Sequence, residues 1–325
     1  MNPILRRLGK AIGVPNSLVG HAALCPTYVP LLSADEIAQL AVQAALLADQ
    51  HGQREVHDHH AGDWPSAWLG RGLDYEESRP YAAGDDIRDM DWRTTARSGR
   101  PFLKIYREER QPMLHLMVDR GASLRFGTRR RLKAAQAARV AILLAFAAAQ
   151  DNTAVGATLW DQHDLELPPL HGRAGALALA EAIAAPCPPL AQTLPTEPLR
   201  DLDRLAWLDA NLPRGARLVL VSDFAWLDGA VAHEALLARL AERLDVLAVR
   251  ISDPAERALP DIGLACFHDF SKQGVNWLDT RQPDHAERLR QQLDQRAQSL
   301  VRAGIRQIDI GSEVDDLLPL LAHHA

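Results

Sequence analysis

The sequence has 325 residues, 47% of them hydrophobic and 24% charged, so it is long enough for one large folded domain or two smaller ones. Its formal net charge of −6 argues against a general nucleic-acid binder. Three widely spaced cysteines (Cys25, Cys187 and Cys266) form no CxxC pair, which favours a reducing, cytoplasmic location. A membrane-spanning helix needs about 20 apolar residues, and every apolar stretch of the sequence is shorter, so we expect no membrane span.

Residues 1–60 are predicted to form a helical N-terminal extension. Ser33 stands at the start of a helical pattern and Glu36 follows three residues later, which is the arrangement of a capping box. Apolar residues then recur at helical spacing and predict one buried stripe along this helix. They are Ile37, Leu40, Ala41, Ala44 and Leu47.

Residues 61–112 are predicted to form a small β-rich element. They include the segment 70–109, GRGLDYEESRPYAAGDDIRDMDWRTTARSGRPFLKIYREE, where acidic, basic and aromatic side chains are closely mixed. Turn signals separate short strand-like pieces, and PFLKIYREE alternates as a strand does. We interpret the aspartates of this segment as structural partners of nearby arginines. The residues concerned are Asp85, Asp86, Asp89 and Asp91, with Arg88, Arg93 and Arg97.

Residues 113–325 show alternating strands and helices. Continuous apolar strands separated by helices predict a mostly parallel sheet covered on both faces, a doubly wound α/β domain. Thr128 is the predicted N-cap of a long helix that reaches residue 150. The predicted strands are MLHLMV, TAVGATLW with its hairpin partner DLELPP, RLVLVSD, DVLAVRISD, GLACFHDF and IRQIDIG. The other predicted helices are ALALAEAIAA, EPLRDLDRLAWLDANL, HEALLARLAERL, DHAERLRQQLDQRAQSLVRAG and VDDLLPLLAHH.

Three of the predicted core strands end on an aspartate: Asp119, Asp223 and Asp253. In such sheets ligands bind beyond the carboxyl ends of the strands, near the point where the strand order reverses. Asp119 opens a D-x-G-x-S motif, which brings Ser123 to the same place. Carboxylate and hydroxyl oxygens suit Mg²⁺ or Mn²⁺. The open alternative is that these side chains only cap helices and turns.

Four segments resemble the bacterial domain-of-unknown-function-58 family. They are RPYAAGDDIRDMDWRTTARSG, MVDRGASLRFG, VSDFAWLD and SDPAERALPDIG, and the resemblance covers the chain from about residue 70 to its end. It implies a Rossmann-like domain of the von Willebrand factor A type, preceded by a β-rich element. It also implies a metal-ion-dependent adhesion site. Members of this family are commonly encoded near MoxR-type AAA+ ATPases, so the resemblance further implies such an ATPase as partner.

The adhesion-site pattern maps onto three residues of this sequence. The resemblance assigns Asp119, Ser123 and Asp223 as ligands of Mg²⁺ or Mn²⁺. The usual first loop reads D-x-S-x-S, and Gly121 stands here where that pattern has its first serine. The loop at residues 171–175 also has no threonine to supply the usual later ligand. The implied metal site is therefore degenerate at Gly121.

A basic cluster follows the predicted site loop and comprises Arg125, Arg129, Arg130, Arg131 and Lys133. At the start of a helix, cations are unfavourable with the helix dipole by about 1 kcal/mol or less each. We therefore predict that Arg125, Arg129 and Arg130 bind acidic groups, either of the loop at residues 85–89 or of a partner protein. The alternative is a solvated basic face.

Three functions are open on the sequence. The first, which we favour, is a non-enzymatic protein-interaction module that serves as adaptor or partner of a MoxR-type ATPase and presents its rim loops. The second is a metal-dependent hydrolase that uses the carboxylates at the strand ends. The third, an anion or nucleic-acid binder acting through the basic cluster, is disfavoured by the acidic balance of charge. The sequence contains no nucleophile elbow, P-loop or G-x-G-x-x-G fingerprint.

Overall fold

The structure is a computed structural model that describes residues 29–57, 74–82, 86–87, 90–107, 113–161, 163–187, 200–228, 231–258, 261–269 and 274–322. The chain divides into two compact units. Residues 61–112 form the smaller unit, whereas residues 1–60 and 113–325 together form the larger one. The helix predicted for the N-terminal extension thus belongs to the same unit as the α/β domain.

The elements of the described residues, in chain order, alternate between strands and helices over most of the larger unit. The strands are β1 (Asp74–Pro80), β2 (Phe102–Arg107), β3 (Met113–Asp119), β4 (Ala154–Trp160), β5 (Leu165–Leu170), β6 (Arg217–Ser222), β7 (Asp245–Ser252), β8 (Leu264–Asp269), β9 (Gly274–Asp279) and β10 (Arg306–Gly311). The helices are α1 (Ala34–His57), α2 (Trp92–Ser98), α3 (Lys133–Gln150), α4 (Gly172–Ala184), α5 (Arg200–Asn211), α6 (Val231–Arg243), α7 (Pro254–Arg257), α8 (Pro283–Arg302) and α9 (Leu318–Leu321). None of the described helices is long and apolar enough to span a bilayer.

The main sheet has six strands in the order β10-β7-β6-β3-β4-β5. Its neighbouring strands pair in parallel, except that β5 is antiparallel to β4. Counted along the chain, this is the order 3-2-1-4-5-6 of a doubly wound α/β sheet. The predicted fold class and the predicted hairpin of TAVGATLW with DLELPP are therefore confirmed.

Helices cover both faces of this sheet, because successive residues of its strands point into two separate cores. On β3, Leu116 and Val118 lie in the core that α1, α3 and α4 cover, whereas Met117 lies in the core beneath α5, α6 and α8. Helix α3 is buried along its whole run from Lys133 to Ala148. Its many alanines let neighbouring elements approach closely on every side.

Helix α1 begins as the sequence predicted. The Ser33 hydroxyl accepts the N–H of Glu36 (3.3 Å), and the Glu36 carboxylate accepts the N–H of Ser33 (2.9 Å), which completes the capping box. The helix packs its predicted apolar stripe into the core that contains α3. The buried members of that stripe are Ile37, Leu40, Ala44 and Leu47.

Three predicted elements differ from the structure. The long helix begins at Lys133 instead of following Thr128, because Thr128 donates its N–H (2.9 Å) and its hydroxyl to Asp253 and the chain bends before the helix. Strand β8 pairs with β9, a strand that the sequence did not indicate, in an antiparallel hairpin outside the main sheet. The predicted final helix is reduced to the single turn of α9.

The smaller unit pairs β1 with β2 in an antiparallel sheet, and the short helix α2 lies between these strands in the chain. The helix was not predicted. Asp91 caps it by accepting the N–H groups of Arg93 (3.1 Å) and Thr94 (3.0 Å), and it also accepts the Ser78 hydroxyl (2.6 Å). Asp91 is therefore structural, with hydroxyl and backbone donors as its partners. Other residues of the predicted charge cluster lie outside the described residues: Asp85, Arg88 and Asp89.

Candidate functional site

The carboxyl ends of β3 and β6 form the point where the strand order of the main sheet reverses. The two strands are neighbours, yet the chain leaves β3 toward β4 on one side and reaches β6 on the other. Asp119 is the last residue of β3, and Asp223 directly follows β6. Parallel strands place these two carboxylates at the same edge, which is where doubly wound sheets bind ligands.

Each carboxylate oxygen of Asp119 accepts a hydrogen bond from a nearby group of the chain. Its Oδ1 accepts the N–H of Gly121 (2.8 Å), and its Oδ2 accepts the hydroxyl of Ser222 (2.6 Å). The Ser222 hydroxyl in turn accepts the indole N–H of Trp226 (3.1 Å). Burial and the negative charge of Asp223 raise the pKa of Asp119, although the hydrogen bonds from Ser222 and Gly121 act in the opposite direction.

Asp223 joins an exposed hydroxyl to a buried ammonium. Its Oδ1 accepts the hydroxyl of Ser123 (3.2 Å) and the N–H of Ala225 (3.0 Å), whereas its Oδ2 accepts Nζ of Lys133 (2.7 Å). The same Nζ also donates to Oε1 of Glu256 (2.5 Å). Ser123 is exposed to solvent, but Lys133 is only 1% exposed and Asp223 only 3%. This edge of the sheet, the rim, thus contains a buried ion pair of Lys133 and Asp223, which the partly exposed Glu256 joins.

The two carboxylates keep Lys133 charged in this interior position. Burial by itself favours the neutral amine, but the charges and hydrogen bonds of Asp223 and Glu256 outweigh it and raise the pKa of Lys133. Burial would also raise the pKa of Asp223. The ammonium of Lys133 and the guanidinium of Arg296, which donates to the backbone oxygen of Asp223 (3.3 Å), outweigh that effect, so the pKa of Asp223 is lowered. Both groups are therefore ionised at neutral pH.

Contacts of Asp253 position both Lys133 and Glu256. The bend that Thr128 and Asp253 enforce delays the start of α3, so that Lys133 becomes its first residue. Asp253 caps α7, and its own N–H donates to Oε2 of Glu256 (2.9 Å) in a capping box. This bond leaves Oε1 of Glu256 facing the lysine. The sequence prediction placed Lys133 in the basic cluster and overlooked Glu256, although the D-P-A-E segment is a recognisable capping box.

The three predicted metal ligands do lie together, but the donors around them do not fit a divalent cation. Asp223 already has the ammonium of Lys133 on one oxygen. Gly121 supplies no hydroxyl, and a Cβ at this position would lie 3.0 Å from Oδ1 of Asp119. Within the described part of the chain, no group of three or more His, Cys, Asp and Glu side chains is arranged to hold a metal ion.

Most of the predicted basic cluster pairs with acidic side chains of the larger unit. Arg125 is buried, and its guanidinium donates to Asp161 (2.6 Å). Arg130 and Arg131 both pair with Asp315 near the end of the chain, and Arg129 is exposed. These arginines precede the first turn of α3, so the expected conflict with the helix dipole does not arise. Arg125 accordingly belongs to the interior and offers no surface to a partner.

Comparison with known proteins agrees with the resemblance seen in the sequence. Residues 77–300 match the family described as "Protein of unknown function DUF58". The chain belongs to this family. An uncharacterized protein of Mycobacterium tuberculosis is 31% identical over 225 residues, which are 68% of this chain and 66% of the relative. A protein of Mycobacterium bovis gives the same values, so the chain aligns with slightly less than two thirds of these relatives.

Two solved structures resemble the DUF58 chain at low sequence identity. The conserved hypothetical protein BatB from Bacteroides thetaiotaomicron has a TM-score of 0.42 and 11% identity, covering 65% of this chain and 96% of BatB. An aerotolerance-related membrane protein from Bacteroides fragilis has a TM-score of 0.39 and 13% identity, covering 62% of this chain and 92% of the other. At this level of similarity the two structures carry no information about function.

Proposed function

We propose that this DUF58 protein is a non-enzymatic protein-interaction module that presents the carboxyl-end rim of its main sheet to a partner. The observation that carries the proposal is the bonding of the two rim carboxylates. Both oxygens of Asp119 and both oxygens of Asp223 accept hydrogen bonds from the chain itself, while the side chain of Ser123 beside them is exposed. Carboxylates bonded in this way are poorly placed to abstract a proton from a substrate, whereas the rim around Ser123 is open to contact.

The partner that we propose is a MoxR-type AAA+ ATPase. This choice rests on membership of the DUF58 family and on the association that the sequence resemblance implies. Arg129 is exposed next to the rim and supplies positive charge that suits an acidic surface of such a partner, whereas the exposed Arg130 shares its charge with Asp315. A nucleic-acid partner does not suit the net charge of −6. We place the interaction in the cytoplasm because the cysteine content fits a reducing compartment.

The test is the binding of the purified full-length chain to a purified MoxR-type ATPase from the same organism, measured by biolayer interferometry. Ser123→Arg adds bulk and charge at the centre of the exposed rim and is expected to weaken binding by about tenfold or more. Asn211→Arg is the matched control, because this exposed residue ends α5 at the opposite edge of the sheet. Equal affinity of the Ser123→Arg variant and the wild-type chain would contradict the proposal.

A hydrolase assay addresses the alternative function. The purified chain is incubated with a generic phosphoester and Mn²⁺, and we expect the same background rate for the wild type and for Asp119→Ala. Hydrolysis by the wild type that Asp119→Ala abolishes would overturn the non-enzymatic assignment and favour a metal-dependent hydrolase.

A further inference from the structure

The rim contains a cation that belongs to the chain itself. Nζ of Lys133 lies 2.7 Å from Asp223 and 2.5 Å from Glu256, in a side chain that is 1% exposed. The oxygen of Asp223 that the ammonium does not occupy accepts the exposed hydroxyl of Ser123. One carboxylate therefore connects the rim surface to the ammonium, as a shared ligand connects a bound metal ion to its surroundings.

We propose that Lys133 is the permanent cation of this site and replaces the divalent ion of metal-ion-dependent adhesion sites, so that the rim binds neither Mg²⁺ nor Mn²⁺. The proposal goes beyond the proposed function, because it concerns the charge balance of the chain alone and holds whichever partner the rim contacts.

Competition for one carboxylate is the first argument. A divalent ion at this edge needs Asp223 as a ligand, and that carboxylate already compensates the charge of Lys133. Bringing two cations onto one buried carboxylate is strongly unfavourable where the effective dielectric constant is low. A metal ion could bind only if the ammonium left its two partners, and helix α3 fixes the lysine backbone beneath them.

The second argument is that the carboxylates around the site are already fixed by hydrogen bonds within the chain. Glu256 has its other oxygen fixed by the N–H of Asp253, so it points at Lys133 without needing a metal to hold it. Asp119 is likewise fixed by Gly121 and Ser222. A serine at position 121, which the adhesion-site pattern requires, would place its Cβ 3.0 Å from the Asp119 carboxylate and would force it to move. The first loop thus favours glycine at position 121 over the serine of the adhesion-site pattern.

Electron paramagnetic resonance of Mn²⁺ tests the proposal on the full-length chain. With protein and Mn²⁺ at equal submillimolar concentrations, we expect the six-line signal of free Mn²⁺ to be as strong as in buffer. A saturable loss of this signal in the wild type, which Asp223→Asn removes, would overturn the proposal. Loss of signal that Asp223→Asn and Asp119→Asn both leave unchanged reports binding elsewhere on the chain and agrees with the proposal, whereas loss that either variant removes overturns it.

Substitution of the lysine gives the converse experiment. Lys133→Met leaves Asp223 and Glu256 without their cation, so we expect this variant to take up Mn²⁺ and its melting temperature to rise when Mn²⁺ is added. Lys133→Arg retains the charge and is the matched control, with no uptake expected. A folded Lys133→Met variant that binds no more Mn²⁺ than the wild type would contradict the proposal. If Lys133→Met does not fold, the wild-type titration still decides the question.

Discussion

The rim of the main sheet and the smaller unit each bury an aspartate, but the two carboxylates are compensated differently. Among the described residues, the donors to Asp91 of the smaller unit are neutral: the hydroxyls of Ser78 and Thr94 (2.6 Å each) and two backbone N–H groups. Asp223 at the rim accepts neutral donors as well, but it also pairs with the ammonium of Lys133. A lone carboxylate at a helix start needs no more than hydrogen bonds. Asp223 lies beside the buried carboxylate of Asp119, and the ammonium of Lys133 helps to keep Asp223 ionised there.

Removal of the buried ammonium of Lys133 should have the largest effect on stability. We expect Lys133→Met to lower the free energy of unfolding by about 3–5 kcal/mol, because buried Asp223 loses the ammonium beside it and the partly exposed Glu256 loses its partner. Urea denaturation measures the loss. The double variant Lys133→Met/Asp223→Asn should lose less than the sum of the two single variants. Additive losses would show that the ammonium and this carboxylate do not stabilise each other.

The buried histidine His115 should make the stability of the protein depend on pH. His115 lies on β3 with its Nε2 2.7 Å from the Thr158 hydroxyl, and burial lowers its pKa to about 4 from the ordinary value of 6.5. The unfolded chain therefore takes up a proton first as the pH falls. The contribution of neutral His115 is complete above pH 6.5 and is lost toward pH 4, by at most about 3 kcal/mol.

The His115→Gln variant isolates this contribution. Glutamine can still bond Thr158 but does not titrate, so the difference in unfolding free energy between wild type and variant should shrink as the pH falls from 6.5 to 4. Urea denaturation at several pH values measures that difference. A difference that does not change across this range would mean that His115 is protonated in the folded chain.

Loss of the Asp91 cap should have a smaller and local effect. Asp91→Ala removes the acceptor for the first N–H groups of α2 and for Ser78. We expect several-fold faster hydrogen exchange for peptides covering residues 91–107, measured by mass spectrometry, with little change in the larger unit. Asp91→Asn keeps a capping oxygen and should change exchange less. If both variants exchange equally fast, the negative charge and not the cap stabilises this helix.

An exposed ion pair should matter least. The side chains of Arg130 and Asp315 are 63% and 51% exposed, so Arg130→Ala is expected to cost less than about 1 kcal/mol in unfolding free energy. Arg125→Met is the buried counterpart, since Arg125 and Asp161 are each 5% exposed, and it should cost clearly more. Calorimetric unfolding of both variants compares them. Equal losses would mean that burial does not set the strength of these pairs.

The periodicity of the sequence was sufficient for the class of fold and for the place of the site. Apolar strands separated by helices require a sheet covered on both faces, and parallel strands place Asp119 and Asp223 at one edge whatever the details of packing. The capping box of Ser33 and Glu36 was also predictable, because its four groups lie within one helical turn. These features depend on local contacts or on a repeating pattern, which a single sequence displays.

Only the tertiary structure decided the chemistry at the rim. Lys133 is 90 residues from Asp223 and 123 residues from Glu256 along the chain, so no local pattern pairs them. The start of α3 depends on a bond from Thr128 to Asp253, which is 125 residues away. Because of that bond, the chain bends where the sequence predicted a helix, and Lys133 is buried at the first position of α3. The sequence by itself determined where Asp119 and Asp223 meet, and the long-range contacts determined that Lys133 compensates Asp223.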